Sequence, residues 1–314
     1  MSTISVIIPC YNNEFNIKPT TEELIKTSKL LPQGTEFELV FVDDGSKDGT
    51  YRELVNFVNG YKGKCTVVKL ISNYGAPNAS FCGLKYTTGE CIVVIAADLQ
   101  DPPELIIEMY NKWKAGDCRL IVANRRSRKD GFFKEILSYT YQFFFRKFAL
   151  KNLPKGGFDL CMFDQKLKDI VLNINEISTH TWYQFLWLNI PFKEIAYDRR
   201  ERKIGKSMWS LKKRVNFLIN TFVSFSHFPI RMISFMGILF GIIAFFYAIF
   251  IIIAKLSNQV HVEGWTSLIV LFLFVSSFQF VSLGIIGEYV WRNLELTRKR
   301  PNFVVDTVIE KDSK

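Results

Sequence analysis

Two long stretches without a charged residue lie near the end of this 314-residue chain. The first covers residues 232–254 and the second covers residues 266–287. Each stretch, as a helix, is long enough to cross the roughly 30 Å of hydrocarbon in a bilayer. Buried core helices are the alternative, but both stretches are apolar on every face and rich in Phe and Ile, which favours a membrane. We therefore predict two transmembrane helices, at about 232–254 and 266–290.

Basic residues are concentrated on both sides of these stretches, in a chain of net charge +10. Eight Lys and Arg lie within 199–214 and four lie within 292–300, whereas the loop 255–265 holds one Lys and one Glu. Cytosolic loops of membrane proteins carry an excess of Lys and Arg. The pattern predicts that both flanks are cytosolic and that the short loop lies outside. Residues 1–9 are too short for a secretory signal and lack its basic start.

The composition agrees with a soluble part joined to a membrane part. Apolar residues make up 48% of the chain, enough for a core, and charged residues make up 22%, so disorder is excluded. None of the six Cys forms a CxxC pair, which favours reduced thiols over a zinc site. The predicted regions are a cytosolic domain over 1–210, an interfacial amphipathic helix over 211–230, two transmembrane helices within 231–292 and a cytosolic tail over 293–314.

Strand-like and helix-like segments alternate in the soluble part. Short β-branched runs predict strands, and the segments between them predict helices. The predicted strands are 4–9, 37–42, 66–71, 91–97 and 120–124, and the predicted helices are 16–30, 50–59, 76–88 and 103–114. This alternation predicts an α/β fold with a Rossmann-like, mainly parallel sheet. Ligands of such sheets bind beyond the carboxyl ends of the strands.

Polar segments follow three of the predicted strands directly. They are PCYNNE (9–14), DDGSKDGT (43–50) and DLQDPP (98–103). An ordinary Asp-Gly turn is the alternative interpretation of the second segment, and a helix start at Pro is the alternative for the third. The helix start leaves unexplained why a carboxylate and an amide project together from the end of a buried strand.

These side chains suit a nucleotide-sugar. Asp98 and Gln100 offer oxygen ligands for the divalent cation that a diphosphate needs. Asp43 and Asp44 can accept hydrogen bonds from the N–H groups of a uracil-type base and the hydroxyls of ribose. The chain contains neither a GxxxxGK[ST] nor a GxGxxG segment, which argues against a kinase, an ATPase or a dehydrogenase.

The chain resembles the inverting glycosyltransferases of the GT-A fold. The segments IPCYN, FVDDGSKDGT, NYGAPNASFCGL and ADLQDPPELI carry the resemblance. Within that group it is most similar to the polyprenyl-phosphate glycosyltransferases, which include bactoprenol glucosyltransferases and dolichyl-phosphate mannose synthase. LGIIGEYVWR at 283–292 and the two-span anchor are typical of the bacterial members. The resemblance implies transfer of a sugar from a nucleoside-diphosphate donor, a UDP-sugar, to undecaprenyl phosphate at the bacterial plasma membrane.

The resemblance also implies roles for single positions. The implied nucleotide-binding residues are Pro9, Tyr11, Glu14, Asp43, Asp44 and Asp98. The implied ligands of Mg²⁺ or Mn²⁺ are Asp98 and Gln100. The implied donor and acceptor phosphate ligands are Arg125, Arg126, Arg199, Arg202, Lys206 and Ser207. The implied catalytic residues are Asp98, Arg126, Asp159 and Arg202. Met208 stands where the family has Lys, and we hypothesise that Lys206 supplies that charge.

The chemistry of the acceptor limits what catalysis requires. The second pKa of a phosphate monoester is about 6, so a lipid phosphate is already largely dianionic and needs little help from a base. Cations must instead hold two anionic partners together. The basic stretch 199–214 suits that task, although part of it can be a solvated face or contact anionic lipids. Asp159 remains a candidate base or orienting residue.

Two amphipathic stretches, 133–148 and 211–225, predict helices that lie on the bilayer. A core face of a cytosolic helix is the alternative for each, but the three consecutive Phe at 143–145 exceed what one core face requires. We expect a homo-oligomer, with a tetramer suggested by resemblance.

Three other functions are consistent with parts of the sequence. They are a transferase of the same fold that acts on a glycan or a protein, a non-catalytic membrane adaptor, and a nucleic-acid binder. Retention of Asp98, Gln100 and Arg202 argues against the adaptor. A nucleic-acid binder needs a basic stripe on the soluble domain, whereas here the charge is concentrated beside the predicted spans.

Overall fold

The computed structural model describes residues 2–116, 118–126, 143, 145–154, 158, 160–174, 182–201, 225–226, 228–256, 264–298 and 300–312. The chain forms two compact units. The first unit combines Met1–Thr221 with Pro301–Lys314, and the second unit is Phe222–Arg300. The soluble unit is therefore built from two stretches of sequence separated by the apolar helices.

The described elements follow the alternation of the sequence closely. In chain order they are β1 (Ser2–Cys10), α1 (Glu14–Ser28), β2 (Thr35–Asp43), α2 (Thr50–Gly60), β3 (Cys65–Leu70), α3 (Ala76–Leu84), β4 (Cys91–Val94), α4 (Leu105–Lys114), β5 (Leu120–Arg125), β6 (Leu160–Asp164), α5 (Gln165–Ile174), α6 (Tyr183–Trp187), β7 (Phe192–Tyr197), α7 (Phe228–Leu256), α8 (Trp265–Arg298) and β8 (Val305–Lys311).

The strands form one sheet of order β7-β5-β6-β4-β1-β2-β3-β8. The pairs β1–β2, β1–β4, β2–β3 and β5–β7 are parallel. Strands β6 and β8 run against their neighbours. Long runs of β1 and β2 and all of β4 are buried, as expected for central strands covered by helices on both faces. The predicted α/β fold with a mainly parallel sheet is confirmed.

The sequence did not predict β6, β7 or β8. β8 follows the two apolar helices and returns to the sheet, where it pairs antiparallel with β3 from Cys65 opposite Lys311 to Leu70 opposite Val305. Part of the predicted cytosolic tail is thus an edge strand of the soluble unit. The boundaries of the predicted regions otherwise remain predictions.

The six Cys are free, and only Cys118 is partly accessible. Burial raises the pKa of the Cys10 and Cys161 thiols well above the ordinary value. These two thiols are therefore inert parts of the core.

Helices α7 and α8 are apolar and largely exposed along their described lengths. The segments Phe228–Tyr247 and Leu271–Glu295 are long and apolar enough to cross a membrane. The two helices contact each other through Phe240, whose ring packs edge-on against Phe278 at 5.1 Å between centroids.

The two predicted interfacial helices lie mostly outside the described residues. Of the first, Phe143 is 53% exposed whereas Phe145 is fully buried and packs against Tyr183. These two neighbours of Phe144 therefore face different surroundings. Of the stretch 211–225, only residue 225 is described.

Candidate active site

The strand order reverses in the middle of the sheet. β1 lies between β2 and β4, so the chain winds in opposite directions on its two sides. A crevice forms at such a switch point, beyond the carboxyl ends of the strands. The loops after β1, β2 and β4 begin at this edge. The structure thus brings the three polar segments of the sequence to one place.

Hydrogen bonds join the loop after β1 to the loop after β2. The amide of Asn12 donates to the Ser46 hydroxyl at 3.0 Å, and the amide of Asn13 donates to the Thr50 hydroxyl at 2.7 Å. Asn12 has φ of +51°, a left-handed conformation that Asn tolerates better than most residues. These bonds hold Tyr11, which is partly buried at the mouth of the crevice, in a defined position.

Glu14 uses its carboxylate within this pair of loops. Its Oε2 accepts the amide of Gly49 at 3.1 Å, and its Oε1 accepts Nη2 of Arg52 at 2.9 Å. The structure therefore gives Glu14 a role in fixing the loops. Its predicted contact with the nucleotide stays a prediction.

Asp44 holds a third loop. It is buried, and its two oxygens accept the amides of Tyr74 at 2.7 Å and Gly75 at 2.8 Å. Gly75 has φ of +91° and is the N-cap residue directly before α3. Burial, partly offset by these amides and reinforced by the charge of Asp43, raises the pKa of Asp44 to about 6. The contact of Asp44 with a base or ribose remains a prediction, because both of its oxygens have protein partners.

Asp43 has an unused oxygen. Its Oδ1 accepts the amide of Ser46 at 3.2 Å, whereas Oδ2 is buried without a hydrogen-bond partner among the described residues. Burial raises the pKa of Asp43, although hydrogen bonds from Ser46 and the charge of Lys69 oppose this shift. A buried polar atom without a partner is rare in native proteins and costs free energy unless a ligand or water satisfies it. Asp43 is thus equipped to accept a hydrogen bond from a ligand.

Asp98 and Gln100 form a tight turn beyond β4. Leu99 between them has φ of +55°, and the amide of Gln100 donates to Oδ1 of Asp98 at 3.1 Å. The positive φ is unusual for Leu and marks local strain, a common feature of functional turns. The turn keeps a carboxylate and an amide side chain close together at the switch point.

The donor set of this turn fits a hard divalent cation. Carboxylate and amide oxygens are typical ligands of Mg²⁺ and Mn²⁺. Within the described part of the chain, no three His, Cys, Asp or Glu side chains are grouped so that they could hold a metal ion. A cation at Asp98 and Gln100 would therefore need further oxygens from a substrate or water, the usual way in which Mg²⁺ is bound beside phosphates.

A buried acid next to this turn gathers two residues from beyond β7. Asp101 accepts the Tyr197 hydroxyl at 2.5 Å and lies 3.3 Å from Nε of Arg199. Asp101 is buried, and Arg199 is about a quarter exposed. Burial and the charge of Asp101 raise the pKa of Tyr197. Asp101 lies within the polar segment 98–103, but no sequence signal linked it to Tyr197 or Arg199, which are 96 and 98 positions away.

The segment after β7 is also tied to the Asp98–Gln100 turn through its backbone. The amide of Arg200 donates to the carbonyl of Gln100 at 2.9 Å, and the amide of Arg126 donates to the carbonyl of Tyr197 at 2.9 Å. The structure thus brings Arg199, a predicted phosphate ligand, close to the turn. It places Arg126, another predicted phosphate ligand, beside the end of β7, where its guanidinium lies 3.8 Å from the Asp198 carboxylate.

The remaining predicted residues divide into two groups. Pro9 lies in β1 opposite Val42, and Arg125 ends β5 opposite Tyr197 of β7. Asp159, Arg202, Lys206 and Ser207 lie outside the described residues.

An open cleft of about 510 Å³ lies beyond β1, β2 and β3. Its lining includes Tyr11, Gly45–Lys47, Lys69–Asn73 and Asp306. The volume is in the range of small-molecule sites.

The mostly parallel sheet with its switch point has a GT-A-like fold. Residues 5–171, more than half of the chain, match the protein family described as glycosyl transferase family 2. The chain belongs to this family.

Several relatives match nearly the whole chain. Glycosyltransferase CsbB of Bacillus subtilis is 32% identical over 305 residues, which cover 96% of this chain and 91% of CsbB. A glycosyltransferase of Synechocystis is 32% identical over 306 residues, covering 96% and 94% of the two chains. The bactoprenol glucosyl transferase of Shigella phage SfX is 29% identical over 306 residues, covering 96% and 98%.

Among solved structures, the mannosyltransferase PcManGT from Pyrobaculum calidifontis, in complex with GDP-Man and Mn²⁺, is 19% identical. The match covers 64% of this chain and 58% of PcManGT, with a TM-score of 0.44.

Proposed function

We propose that this protein is a membrane-anchored glycosyltransferase that moves a sugar from a UDP-sugar to undecaprenyl phosphate with inversion. The carrying observation is that the similarity to bactoprenol glucosyl transferases covers 96% of the chain, apolar helices included. Such helices suit an enzyme whose acceptor is a lipid. The Asp98–Gln100 turn at the switch point of the sheet supports the donor half of the proposal.

The nucleoside of the donor binds beyond β1, β2 and β3. There Oδ2 of Asp43 accepts a hydrogen bond from an N–H or O–H group of the nucleoside. This bond gives the buried oxygen the partner that it lacks among the described residues. Asp98 and Gln100 would hold Mg²⁺ or Mn²⁺ through their side-chain oxygens. When bound, this cation stabilises the negative charge that the leaving nucleoside diphosphate gains in the transition state.

The acceptor phosphate needs positioning more than deprotonation, because it is already an anion near neutral pH. Its oxygen forms the new bond to C1 of the sugar while the bond from C1 to the diphosphate breaks. Arg199 is held beside the turn by Asp101. Arg126 is held through its amide at the same edge. Fixed cations at this place draw the two anionic partners together. Arg202, Lys206 and Ser207 follow in the chain and are proposed to complete the phosphate contacts.

The connectivity supports a two-span anchor. β7 precedes the apolar helices, β8 follows them, and both strands belong to one sheet. Because a bilayer cannot divide a sheet, the chain must enter the membrane through α7 and come back through α8 to the same side of the membrane. The basic flanks of the helices favour the cytosolic side of the plasma membrane. We propose in addition a homo-oligomer.

The test uses the full chain purified in detergent, radiolabelled UDP-sugars, undecaprenyl phosphate and either Mg²⁺ or Mn²⁺. We expect a labelled lipid that depends on the cation. Asp98→Asn should reduce kcat about a hundredfold or more, since one ligand of the charge-stabilising cation is lost.

The matched control is Asp169→Asn, which removes an exposed carboxylate from α5 and should leave kcat unchanged. Absence of labelled lipid with every donor, or full activity of Asp98→Asn, would overturn the proposal. Transfer to an added glycan or protein instead of the lipid would identify a transferase of the same fold with another acceptor.

A further inference from the structure

The strand that follows the membrane helices contributes to the cleft beyond β3. Asp306 of β8 lines this cleft together with Lys69 of β3. Their side chains form an ion pair with 3.1 Å between Nζ of Lys69 and Oδ2 of Asp306. Both side chains are partly exposed, at 34% and 43%, so a ligand in the cleft can reach them.

A β-bulge places Asp306 at this position. Lys69 lies opposite Thr307 and Leu70 lies opposite Val305, so Asp306 is the extra residue between two paired ones. The bond from the amide of Ile71 to the carbonyl of Val304, at 3.1 Å, fixes the strand beyond the bulge. Bulges redirect side chains and are frequent next to active sites. A regular strand would have paired Asp306 within the ladder.

Lys69 is held from two sides. Besides the bond to Asp306, its ammonium lies 5.0 Å from the centre of the Tyr51 ring, a cation–π distance. Its charge also acts on Asp43 at the end of β2. The cleft therefore presents a fixed hydrogen-bond donor near a buried acceptor with an unused oxygen.

The position of the cleft suits the base of a nucleotide better than its phosphates. β3 is three strands away from β4, which carries the Asp98–Gln100 turn. Three strand spacings amount to about 14 Å, comparable to the reach of a nucleoside diphosphate from its phosphates to its base. Tyr11 offers an aromatic face for stacking.

We propose that Lys69, held in place by Asp306, donates a hydrogen bond to a carbonyl oxygen of the donor's base, so that β8 takes part in selecting the nucleotide. This inference rests on the proposed function and names two further residues for its donor site. Uracil and guanine present a carbonyl next to a ring N–H group, whereas cytosine and adenine carry an amino group at that place. An amino group would meet the ammonium of Lys69 donor to donor.

The test measures dissociation constants of UDP, CDP, GDP and ADP by calorimetry, with the full chain in detergent and Mg²⁺ present. The wild type should prefer UDP to CDP, or GDP to ADP if the natural base is guanine. Lys69→Met and Asp306→Asn should reduce this preference about three- to tenfold, as expected for a partly exposed, charged hydrogen bond. Asp306→Glu, which keeps the carboxylate, should retain the base preference of the wild type. In transfer assays, the donor KM should rise while kcat stays near that of the wild type.

The matched control is Glu310→Gln, which removes an exposed acid from the same strand away from the cleft. It should leave the preference unchanged. If Asp306 acted only through its negative charge, Asp306→Asn would bind all four anionic nucleotides more tightly and by the same factor. The preference among the bases would then stay unchanged. That result, or an unchanged preference in Lys69→Met, would overturn the inference.

The inference and the proposed function fail in different ways. A wild type that binds UDP but transfers no sugar to undecaprenyl phosphate would overturn the proposed acceptor while the base preference is still measured. A wild type that binds none of the four nucleotides would overturn both.

Discussion

Three acidic residues of the site face different surroundings, which give them different tasks. Both oxygens of Asp44 accept hydrogen bonds, from the amides of Tyr74 and Gly75, whereas one buried oxygen of Asp43 has no described partner. Asp98 accepts the amide of Gln100 in a strained turn at the switch point, with Leu99 in a left-handed conformation. Identical side chains thus hold a loop, keep one acceptor oxygen without a described partner, and close a turn. The number and kind of groups around each carboxylate decide the role.

Asp44 should make donor binding depend on pH. Its pKa of about 6 means that the carboxylate is mostly ionised at pH 7 and mostly protonated at pH 5. The neutral acid has a hydroxyl in place of one acceptor, so it cannot hold both the Tyr74 and Gly75 amides. We expect the affinity for a UDP-sugar to fall about tenfold from pH 7 to pH 5, measured by calorimetry.

Two features keep this result interpretable. The phosphates of a UDP-sugar are both esterified, so the ligand keeps its charge over this range. Titration of Asp44 does not weaken binding by unfolding the protein. Because the pKa of Asp44 is raised in the folded state, its contribution to the free energy of unfolding increases as the pH falls from about 6 to 4. Asp44→Asn should bind weakly with a flat profile. An equally steep profile in that variant would contradict the assignment.

Helix α3 illustrates how closely one element is fitted to the sheet. A Cβ atom on Gly83 would lie 2.5 Å from Cγ2 of Ile7 and 3.3 Å from Cγ2 of Val42. Both neighbours are fully buried, β-branched residues of central strands, so they have little freedom to move away. The glycine therefore sets the distance between the helix and the sheet and, with it, the position of the loop that Asp44 holds.

Gly83→Ala should destabilise the soluble unit by about 1–3 kcal/mol through overpacking. In detergent, a drop in Tm of about 3 °C or more is expected, measured by tryptophan fluorescence. Gly60→Ala at the end of α2 is the control, because nothing lies within 4 Å of its added Cβ. That variant should be neutral or slightly more stable. A neutral Gly83→Ala would show that helix and sheet are packed less closely than the distances indicate.

At the scale of the whole molecule, one sheet contains strands that precede the apolar helices in sequence and one strand that follows them. The N-terminal stretch supplies β1 to β7, and β8 adds a seven-residue edge strand, Val305–Lys311, after the second helix. The chain therefore cannot cross a bilayer an odd number of times between β7 and β8. This constraint does not depend on the charges of the flanks, so the two arguments for topology are independent.

Single cysteines test this topology in intact cells. Asn258→Cys in the loop between the helices should react with a membrane-impermeant maleimide from outside. Asp312→Cys, just after β8, should react only after lysis. Both variants also carry Cys118→Ser, and the Cys118→Ser protein is the control, since the other five cysteines are buried. Labelling of Asp312→Cys in intact cells would exclude the proposed two-span arrangement.

Local patterns in the sequence were sufficient for much of the fold. The β-branched runs and helical periodicities identified β1 to β5 and α1 to α4, because burial on both faces of a strand or one face of a helix leaves its mark on adjacent residues. Asp43, Asp44, Asp98 and Gln100 were found because each follows directly on a buried strand. The same logic did not reveal β6, which contains no β-branched residue. It also missed β7 and β8, which are edge strands with many exposed residues and so lack a continuous buried run.

The sequence by itself determined the order of β1 to β5 and α1 to α4, the two apolar helices and the acidic ends of the strands. Only the tertiary structure decided what each of these residues does. It paired Asp44 with the amides of residues 74 and 75, joined Asp101 to Tyr197 and Arg199, and placed Asp306 beside Lys69 across 237 positions of chain. The physical reason is that hydrogen bonds and strand register form between segments that meet only after folding, whereas hydrophobic periodicity is recorded in neighbouring residues.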